Sequence, residues 1–149
     1  MNYTNLFVRS VNYEQQLEDI TWTLEMSQGQ FSLILACCNS TALRTHLVHR
    51  LHILTPGIQE IYLNPSDQYL YSKIQESFGE KQPQAVMILN LELVTNINQI
   101  LTSINQVREE LWKHCPVPII LWINDAILKK MIRLTPDFES WASITDFRS

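Results

Sequence analysis

The junction after the first long apolar run is where phosphate chemistry would be expected in this chain. The run 31–37 ends at a short turn that opens a helical pattern. A nucleotide-binding loop GxxxxGK[ST] uses glycines so that backbone N–H groups can wrap the phosphates, and a lysine that reaches the terminal ones. Laid over residues 37–44, the motif has Cys37 and Ala42 at the glycine positions and Leu43 at the lysine position. The candidate anion contacts that remain are Asn39, Ser40, Thr41 and Arg44.

A helix-capping turn is the alternative interpretation of this junction. A helix N terminus offers free N–H groups and a positive dipole end, so it can attract an anion without any glycine-rich loop. The same N–H groups are equally well satisfied by a capping side chain, for which Asn39 and Ser40 are suitable types. The residue types leave both interpretations open.

Two acidic residues near other strand ends could hold the magnesium ion of a bound nucleotide. A Walker B strand ends in an acid that holds Mg²⁺ or polarises water. In the predicted strand 85–91 the neutral Asn90 stands where the acid would be, and Glu92 follows two residues later. Asp125 follows a third apolar strand, where a helix cap at 124–125 is the alternative. Glu92 and Asp125 complete the candidate site. No cofactor is predicted, and the alternative is ATP or GTP with Mg²⁺ at this site.

Three histidines recur every three residues on the second predicted helix. His46, His49 and His52 could approach a metal because adjacent turns bring residues i and i+3 together. No cysteine or carboxylate lies beside them to complete a ligand shell, so a solvated face is favoured. His114-Cys115 precedes a proline-rich loop, and adjacency in sequence does not give a Cys–His pair the reach that catalysis needs. No catalytic or metal-binding residue is therefore predicted.

The four tryptophans are expected to serve mostly in core packing. Trp22 and Trp112 lie in predicted helices, Trp122 ends a predicted strand, and Trp141 lies late in a helical segment. One or two of them at the surface would indicate a partner-binding patch, because exposed aromatic residues commonly anchor interfaces.

Composition narrows the class of protein. The 149 residues are 46% hydrophobic and 17% charged, which is typical of one globular domain over 1–149. The net charge of −4 argues against a nucleic-acid partner. No apolar stretch approaches the roughly 18–20 residues of a membrane span, and no signal peptide is visible. Three cysteines without a CxxC spacing favour reduced, buried thiols, so a cytoplasmic location is predicted.

Hydrophobic periodicity predicts an N-terminal helix followed by alternating strands and helices. The predicted elements are helix 11–28, strand 31–37, helix 41–54, strand 58–64 near the sheet edge, a helix opened by 65–67 and running to about 78, strand 85–91, a helix capped at 95 or 96 and running to about 113, strand 117–123, helix 124–134, a short turn at 138–141 and a last short strand in 143–149. The predicted inner stripes are Val11, Tyr13, Leu17, Ile20 and Leu24; Leu43, Leu47, Leu51 and Leu54; and Ile97, Ile100, Leu101, Ile104, Val107 and Leu111.

This alternation predicts a three-layer α/β/α fold with a mainly parallel five-stranded sheet and an extra N-terminal helix. Parallel strands need crossover connections, and those connections are right-handed. Such sheets place ligands beyond the carboxyl ends of their strands. The strand ends to compare are 37–41, 64–67, 90–92 and 124–125.

Three segments together resemble one family. They are "LILACCNSTALR", "AVMILNLELV" and "REELWKHCPVPIILWINDAILKKMIRLTPDFESWAS". The chain resembles the P-loop NTPase-like N-terminal domain of cyanobacterial tetratricopeptide-repeat and related multidomain signalling proteins. The most specific match is the last segment, where the family pattern is approximately FP-P-IVLWV-D-IL followed by APDFWSW. The resemblance spans about residues 13–148.

The resemblance implies a relation to signal-transduction ATPases with numerous domains and an AAA-like strand order. The chain departs from an active NTPase at the Walker A glycines and lysine and at the Walker B acid. We therefore expect a non-catalytic regulatory or interaction domain that binds another protein or a second copy of itself. One alternative is a diverged NTPase that binds nucleotide at the turn 37–44. A nucleic-acid-associated regulator is the other, and the acidic charge balance opposes it.

Overall fold

The computed structural model describes residues 3–78, 82–106 and 108–148. Within this part of the chain, side chains are described for 13–78, 82–106, 108–137 and 140–148. The elements in chain order are α1 Tyr3–Met26, β1 Ser32–Cys37, α2 Thr41–Leu54, β2 Ile58–Tyr62, α3 Leu70–Ser77, β3 Ala85–Leu89, a 3₁₀ turn Leu91–Leu93, α4 Ile97–Gln106, α5 Arg108–His114, β4 Pro118–Ile123, α6 Asp125–Leu134, α7 Pro136–Glu139 and β5 Ala142–Asp146.

The five strands form one parallel sheet in the order β2-β3-β4-β1-β5. Every strand pair is parallel, and Leu35 at the centre of β1 pairs with Leu121 of β4 and Ile144 of β5. The predicted three-layer α/β fold is confirmed, as is the edge position of β2. The last short strand is confirmed as β5, which forms the other edge.

Alternate residues of β1 point into two separate cores. Leu33, Leu35 and Cys37 face the helices α3 to α6, whereas Ile34 and Ala36 face α1 and α2. We call these sides the α4 face and the α1 face. A strand covered on both sides cannot alternate apolar with polar residues, so β1, β3 and β4 appear in the sequence as continuous apolar runs.

The direction of each crossover explains why the helices divide in this way. The connection from β1 to β2 runs across the sheet in one direction, and the later connections run in the opposite direction. Because crossovers between parallel strands are right-handed, reversing the direction moves the connecting helix to the other face. Helix α2 consequently packs on the α1 face, and the helices that follow pack on the α4 face.

Several predicted helix boundaries were wrong. Helix α1 begins at Tyr3 rather than at residue 11, since the intervening residues contain no glycine or proline that would end a helix. Helix α3 begins only at Leu70, because the Asp67 carboxylate accepts the backbone N–H of Asn64 at 2.6 Å and holds 64–67 as a turn. Glycine often follows the last turn of a helix, so the sequence predicts that Gly79 closes α3, and this residue lies outside the described residues.

The strand predicted over 85–91 ends at Leu89. Asn90 has φ 70° in the left-handed region, which ends the extended backbone and opens the 3₁₀ turn. Asparagine adopts this conformation more readily than other residues with side chains. The turn predicted at 138–141 is in part a short helix, α7, and the helix predicted to reach residue 113 is described as α4 and α5, with residue 107 not described.

The predicted inner stripes are mostly confirmed. In α2, Leu47 and Leu51 are buried, but Leu54 is 37% exposed, because the helix ends there and Thr55 caps it. Val11 and Val107 lie outside the described side chains. The other predicted stripe residues that are buried are Leu17, Ile20, Leu24, Ile100, Leu101, Ile104 and Leu111.

The expectation that core packing accounts for most tryptophans was wrong. Only Trp122 is buried; its ring stacks on Phe147 with centroids 5.8 Å apart, and its Nε1 donates to the Met87 sulfur at 3.5 Å. Trp22, Trp112 and Trp141 are 62%, 63% and 37% exposed. Trp22 lies two residues from both Ile20 and Leu24, on the side of α1 opposite the buried stripe, and Trp141 follows α7 instead of lying in a helix.

We expect Trp122→Ala to lower the free energy of unfolding by about 3–5 kcal/mol, because it leaves a cavity between β4 and the end of β5. Urea denaturation followed by circular dichroism measures this loss. Trp22→Ala is the matched control and should change stability by no more than about 0.5 kcal/mol. If Trp122→Ala does not fold, Trp122→Phe should fold with a smaller loss, and equal stabilities of Trp122→Phe and the wild type would contradict this packing role.

Candidate functional site

The carboxyl ends of β1 and β4 form the crevice where an open parallel sheet normally binds its ligand. The two strands are neighbours, yet the chain leaves β1 toward the α1 face and leaves β4 toward the α4 face. When two adjacent strands lead into connections on opposite faces of the sheet, a crevice opens between those connections, beyond the carboxyl ends of the strands. Residues 38–40 and 124–125 lie at this position and include three of the predicted site residues.

The connection from β1 to α2 consists of three residues and is held by its own hydrogen bonds. The Cys38 N–H donates to the carbonyl of Ile123 at 2.9 Å. The Ser40 hydroxyl accepts the N–H of Leu43 at 3.1 Å, and the Ser40 carbonyl accepts the N–H of Arg44 at 2.9 Å. Ser40 is therefore the helix cap, as one of the two interpretations predicted, and it uses an N–H group that an anion at this helix end would otherwise take.

Asn39 joins the two sides of the crevice. Its side-chain oxygen accepts the backbone N–H of Asp125 at 2.9 Å, at the N terminus of α6. Asn124 caps the same helix through its side-chain oxygen, which accepts the N–H of Ile127 at 2.9 Å. Two asparagine side chains thus satisfy the first N–H groups of α6, and the predicted cap at 124–125 is confirmed.

The Asp125 carboxylate is bonded to two cations. Lys129 lies one turn along α6 with its Nζ 3.0 Å away, and the Arg148 guanidinium donates to the other carboxylate oxygen. Arg148 also donates to both oxygens of Asp146, at 2.9 Å and 3.0 Å. The four side chains alternate in charge across the ends of β4 and β5, and we call them the Arg148 network.

The pKa shifts follow from these contacts. The Lys129 ammonium, and after it the Arg148 guanidinium, hold the pKa of Asp125 below its ordinary value. Arg148 likewise lowers the pKa of Asp146, and these bonds raise the pKa of Arg148 itself. Beneath the network, burial raises the pKa of the Cys37 thiol to about 11. The carboxylates are thus held ionised and Cys37 is held neutral at physiological pH.

The other two charged candidates pair with each other. Arg44 Nη1 lies 2.7 Å from Glu92 Oε1, and the side chains are only 14% and 26% exposed. The pair ties the first turn of α2 to the 3₁₀ turn after β3. Thr41 is exposed, and its carbonyl accepts the hydroxyl of Thr45 at 3.0 Å. The six predicted residues thus form two bonded pairs, Asn39–Asp125 and Arg44–Glu92, beside a capping serine and an exposed threonine.

A cavity of about 410 Å³ with a mixed polar and apolar lining lies beside the Arg44–Glu92 pair, between α2 and the ends of β2 and β3. His52 Nε2 is 3.0 Å from one Glu60 oxygen, and the Tyr62 hydroxyl donates to the other at 2.7 Å. The bond to Glu60 raises the pKa of Tyr62. His46 and His49 are exposed and His52 is half-buried, and no group of three metal-binding side chains occurs among the described residues.

Two functional features were missed in the sequence. Asp146 is the last residue of β5 and Arg148 follows it, but the strand-end comparison stopped at β4, although β5 is the other neighbour of β1. Extending the same rule to the last strand would have found them. The second feature is a groove of about 450 Å³ lined by Glu109, Trp112, Lys113 and Trp141, which we call the tryptophan groove.

No protein-family model matches this chain, and a search of curated proteins finds no match either. Within the described residues, no helix combines the length and apolar character needed to cross a bilayer.

The Arg148 network should make stability depend on pH. Asp125 and Asp146 have lowered pKa values in the folded chain, so their contribution is present above the ordinary carboxyl range and is lost as pH falls through the folded pKa values. We expect the urea midpoint to fall between about pH 6 and about pH 3, and to fall less in Arg148→Met. Arg133→Met, which removes an exposed arginine of α6, is the control, and equal pH dependence in both variants would contradict the assignment.

The three thiols should be unreactive in the folded protein. Cys37, Cys38 and Cys115 are buried, and burial raises the pKa of each, so little of the reactive thiolate forms. We expect a disulfide-exchange reagent to label none of them at neutral pH and all of them in denaturant. Ser66→Cys, at an exposed turn, is the positive control, and rapid labelling of a wild-type thiol without denaturant would contradict this expectation.

Proposed function

We propose that this chain is a non-catalytic, NTPase-like regulatory domain that binds another protein. The observation that carries the proposal is the internal pairing at the strand ends. Arg44 is paired with Glu92, and Asp125 is bonded to Asn39, Lys129 and Arg148. The groups that a nucleotide and its magnesium ion would need are therefore engaged with one another.

A nucleotide at this junction would have to compete with these pairs. An anion at Arg44 would compete with Glu92 for the guanidinium, and a magnesium ion at Glu92 would be repelled by the Arg44 guanidinium 2.7 Å from that carboxylate. Separating the pair leaves two side chains that are only 14% and 26% exposed without their partners, which costs more than the about 1 kcal/mol of a fully exposed pair. The chain also lacks the lysine and glycines that would repay this cost through phosphate contacts.

The strand order supports the proposal that the domain is NTPase-like. With β1 between β4 and β5, the order agrees with the AAA-like arrangement that the family resemblance implies. The turn after β1 then stands at the position of a phosphate-binding loop, although it is a capped turn here.

The tryptophan groove supports the proposal that the domain binds another protein. Trp112 and Trp141 contact each other edge to face with centroids 5.7 Å apart, and Trp112 contacts the buried Phe31 at 6.3 Å. Indoles held in a fixed arrangement lose little conformational freedom when a partner covers them, and tryptophan is enriched at interface hot spots. The groove is therefore the surface that we assign to a partner.

Calorimetric titration with ATP, GTP and ADP in the presence of Mg²⁺ tests the proposal. We expect no micromolar binding and no hydrolysis, because the phosphate contacts are absent and Arg44 is occupied by Glu92. The same titrations of Glu92→Gln show whether freeing Arg44 restores an anion site, and we expect it to give weak binding at most.

Arg44→Ala distinguishes the proposal from a diverged NTPase. If nucleotide binds to the wild type with micromolar affinity and turns over, and if Arg44→Ala abolishes both, then the chain is an NTPase and the proposal is wrong. Arg133→Ala is the matched control, since it removes an exposed arginine in the last turn of α6, at the opposite end of that helix from Asp125.

A further inference from the structure

The tryptophan groove combines aromatic faces with a carboxylate on one helical surface. Glu109, Trp112 and Lys113 are at positions i, i+3 and i+4 of α5, so they project from the same side of the helix. Trp141, just before β5, forms the opposite wall. Its walls are fixed, because Phe31, Trp112 and Trp141 contact one another in series at interplanar angles of 74° and 61°.

A contact within the protein shows which kind of chemical group an indole face of this groove can bind. The Arg108 guanidinium carbon lies 6.0 Å from the centre of the Trp141 ring, at the distance of a cation–π contact. Arg108 is held there by the carbonyl of Asn105 at 2.8 Å and by Asp137 at 3.8 Å. Trp112 is the more exposed ring, and no cation lies over it among the described contacts.

We infer that the groove binds an arginine side chain of a partner protein, with its guanidinium against Trp112 and its charge paired with Glu109. A guanidinium is planar and weakly hydrated, so it can stack on an indole and still donate to a carboxylate at the edge. The inference rests on the proposed function for its occupant, a second protein. It adds the chemical identity of the group that the partner protein must present to the groove.

The two charges of the groove act on such a guest in opposite directions. Glu109 attracts a guanidinium, and Lys113 repels it from the same helical surface. Removing Glu109 should therefore weaken binding, and removing Lys113 should strengthen it. A groove that holds its guest only through apolar contact would respond to neither change, so the pair of variants separates the two explanations.

The indole N–H signals in a ¹⁵N–¹H correlation spectrum provide the assay. The four tryptophans give four signals, which single Trp→Phe variants assign, and Trp22 and Trp122 serve as internal controls. The probe is an acetylated, amidated pentapeptide with one central arginine flanked by glycines. The comparison peptides replace that arginine with citrulline, its uncharged isostere, or with lysine.

We expect the arginine peptide to shift the Trp112 and Trp141 signals with an affinity at least about threefold above that of the citrulline peptide. Glu109→Gln should weaken binding about two- to fivefold, and Lys113→Gln should strengthen it by a similar factor. Trp112→Ala should abolish the shift of Trp141, whereas Trp22→Ala should leave binding unchanged. Backbone signals in the same spectra show that each variant is folded.

Five results would overturn the inference. Four concern the peptides: absence of binding, equal affinity for the citrulline peptide, equal affinity for the lysine peptide, and a shift of Trp22 as large as that of Trp112. The fifth is a concentration-dependent shift of Trp112 and Trp141 without peptide, which would identify a second copy as the occupant. Micromolar nucleotide binding would instead overturn the proposed function, so the two failures are distinguishable.

Discussion

Coverage of the central strands on both faces is the constraint on which the rest of this structure depends. Strands β1 and β4 carry apolar side chains on both sides, so helices must lie above and below them. In this chain the parallel strands are joined by helical crossovers, and the right-handedness of those crossovers fixes which helix lies on which side. The connections after β1 and β4 therefore leave toward opposite faces of the sheet. The crevice beyond the carboxyl ends of these two strands results from that divergence.

The chain fills that crevice with its own side chains. Asn39 bridges from the end of β1 to α6, and Arg148 bridges from the end of β5 to the same helix. Three adjacent strand ends are thereby tied to the N terminus of α6 through Asp125. A position where open parallel sheets commonly bind a ligand is occupied here by hydrogen bonds and ion pairs within the chain.

Local pattern and long-range contact account for what could and could not be predicted from the sequence. The apolar runs predicted β1, β3 and β4, and the residue types at 40 and 124 predicted two caps, because burial and capping depend on a few neighbouring residues. The bonds of Arg148 to Asp125 and of Arg44 to Glu92 join residues 23 and 48 positions apart, and periodicity contains no information about such pairs. The exposure of Trp112 and Trp141 was missed for a related reason, since it depends on what the rest of the chain leaves uncovered.

The position of β1 has a consequence for the time course of folding. Both of its neighbours, β4 and β5, come from the last third of the chain, and the register pairs Ser32 with Pro118. A growing chain can pair β2 with β3 but leaves β1 without a partner until β4 has been synthesised. Contacts between such distant residues close long loops and slow folding. Strand β1, the more apolar of the first two strands, therefore stays unpaired longest during synthesis. In a cell it is the segment that most needs protection from aggregation.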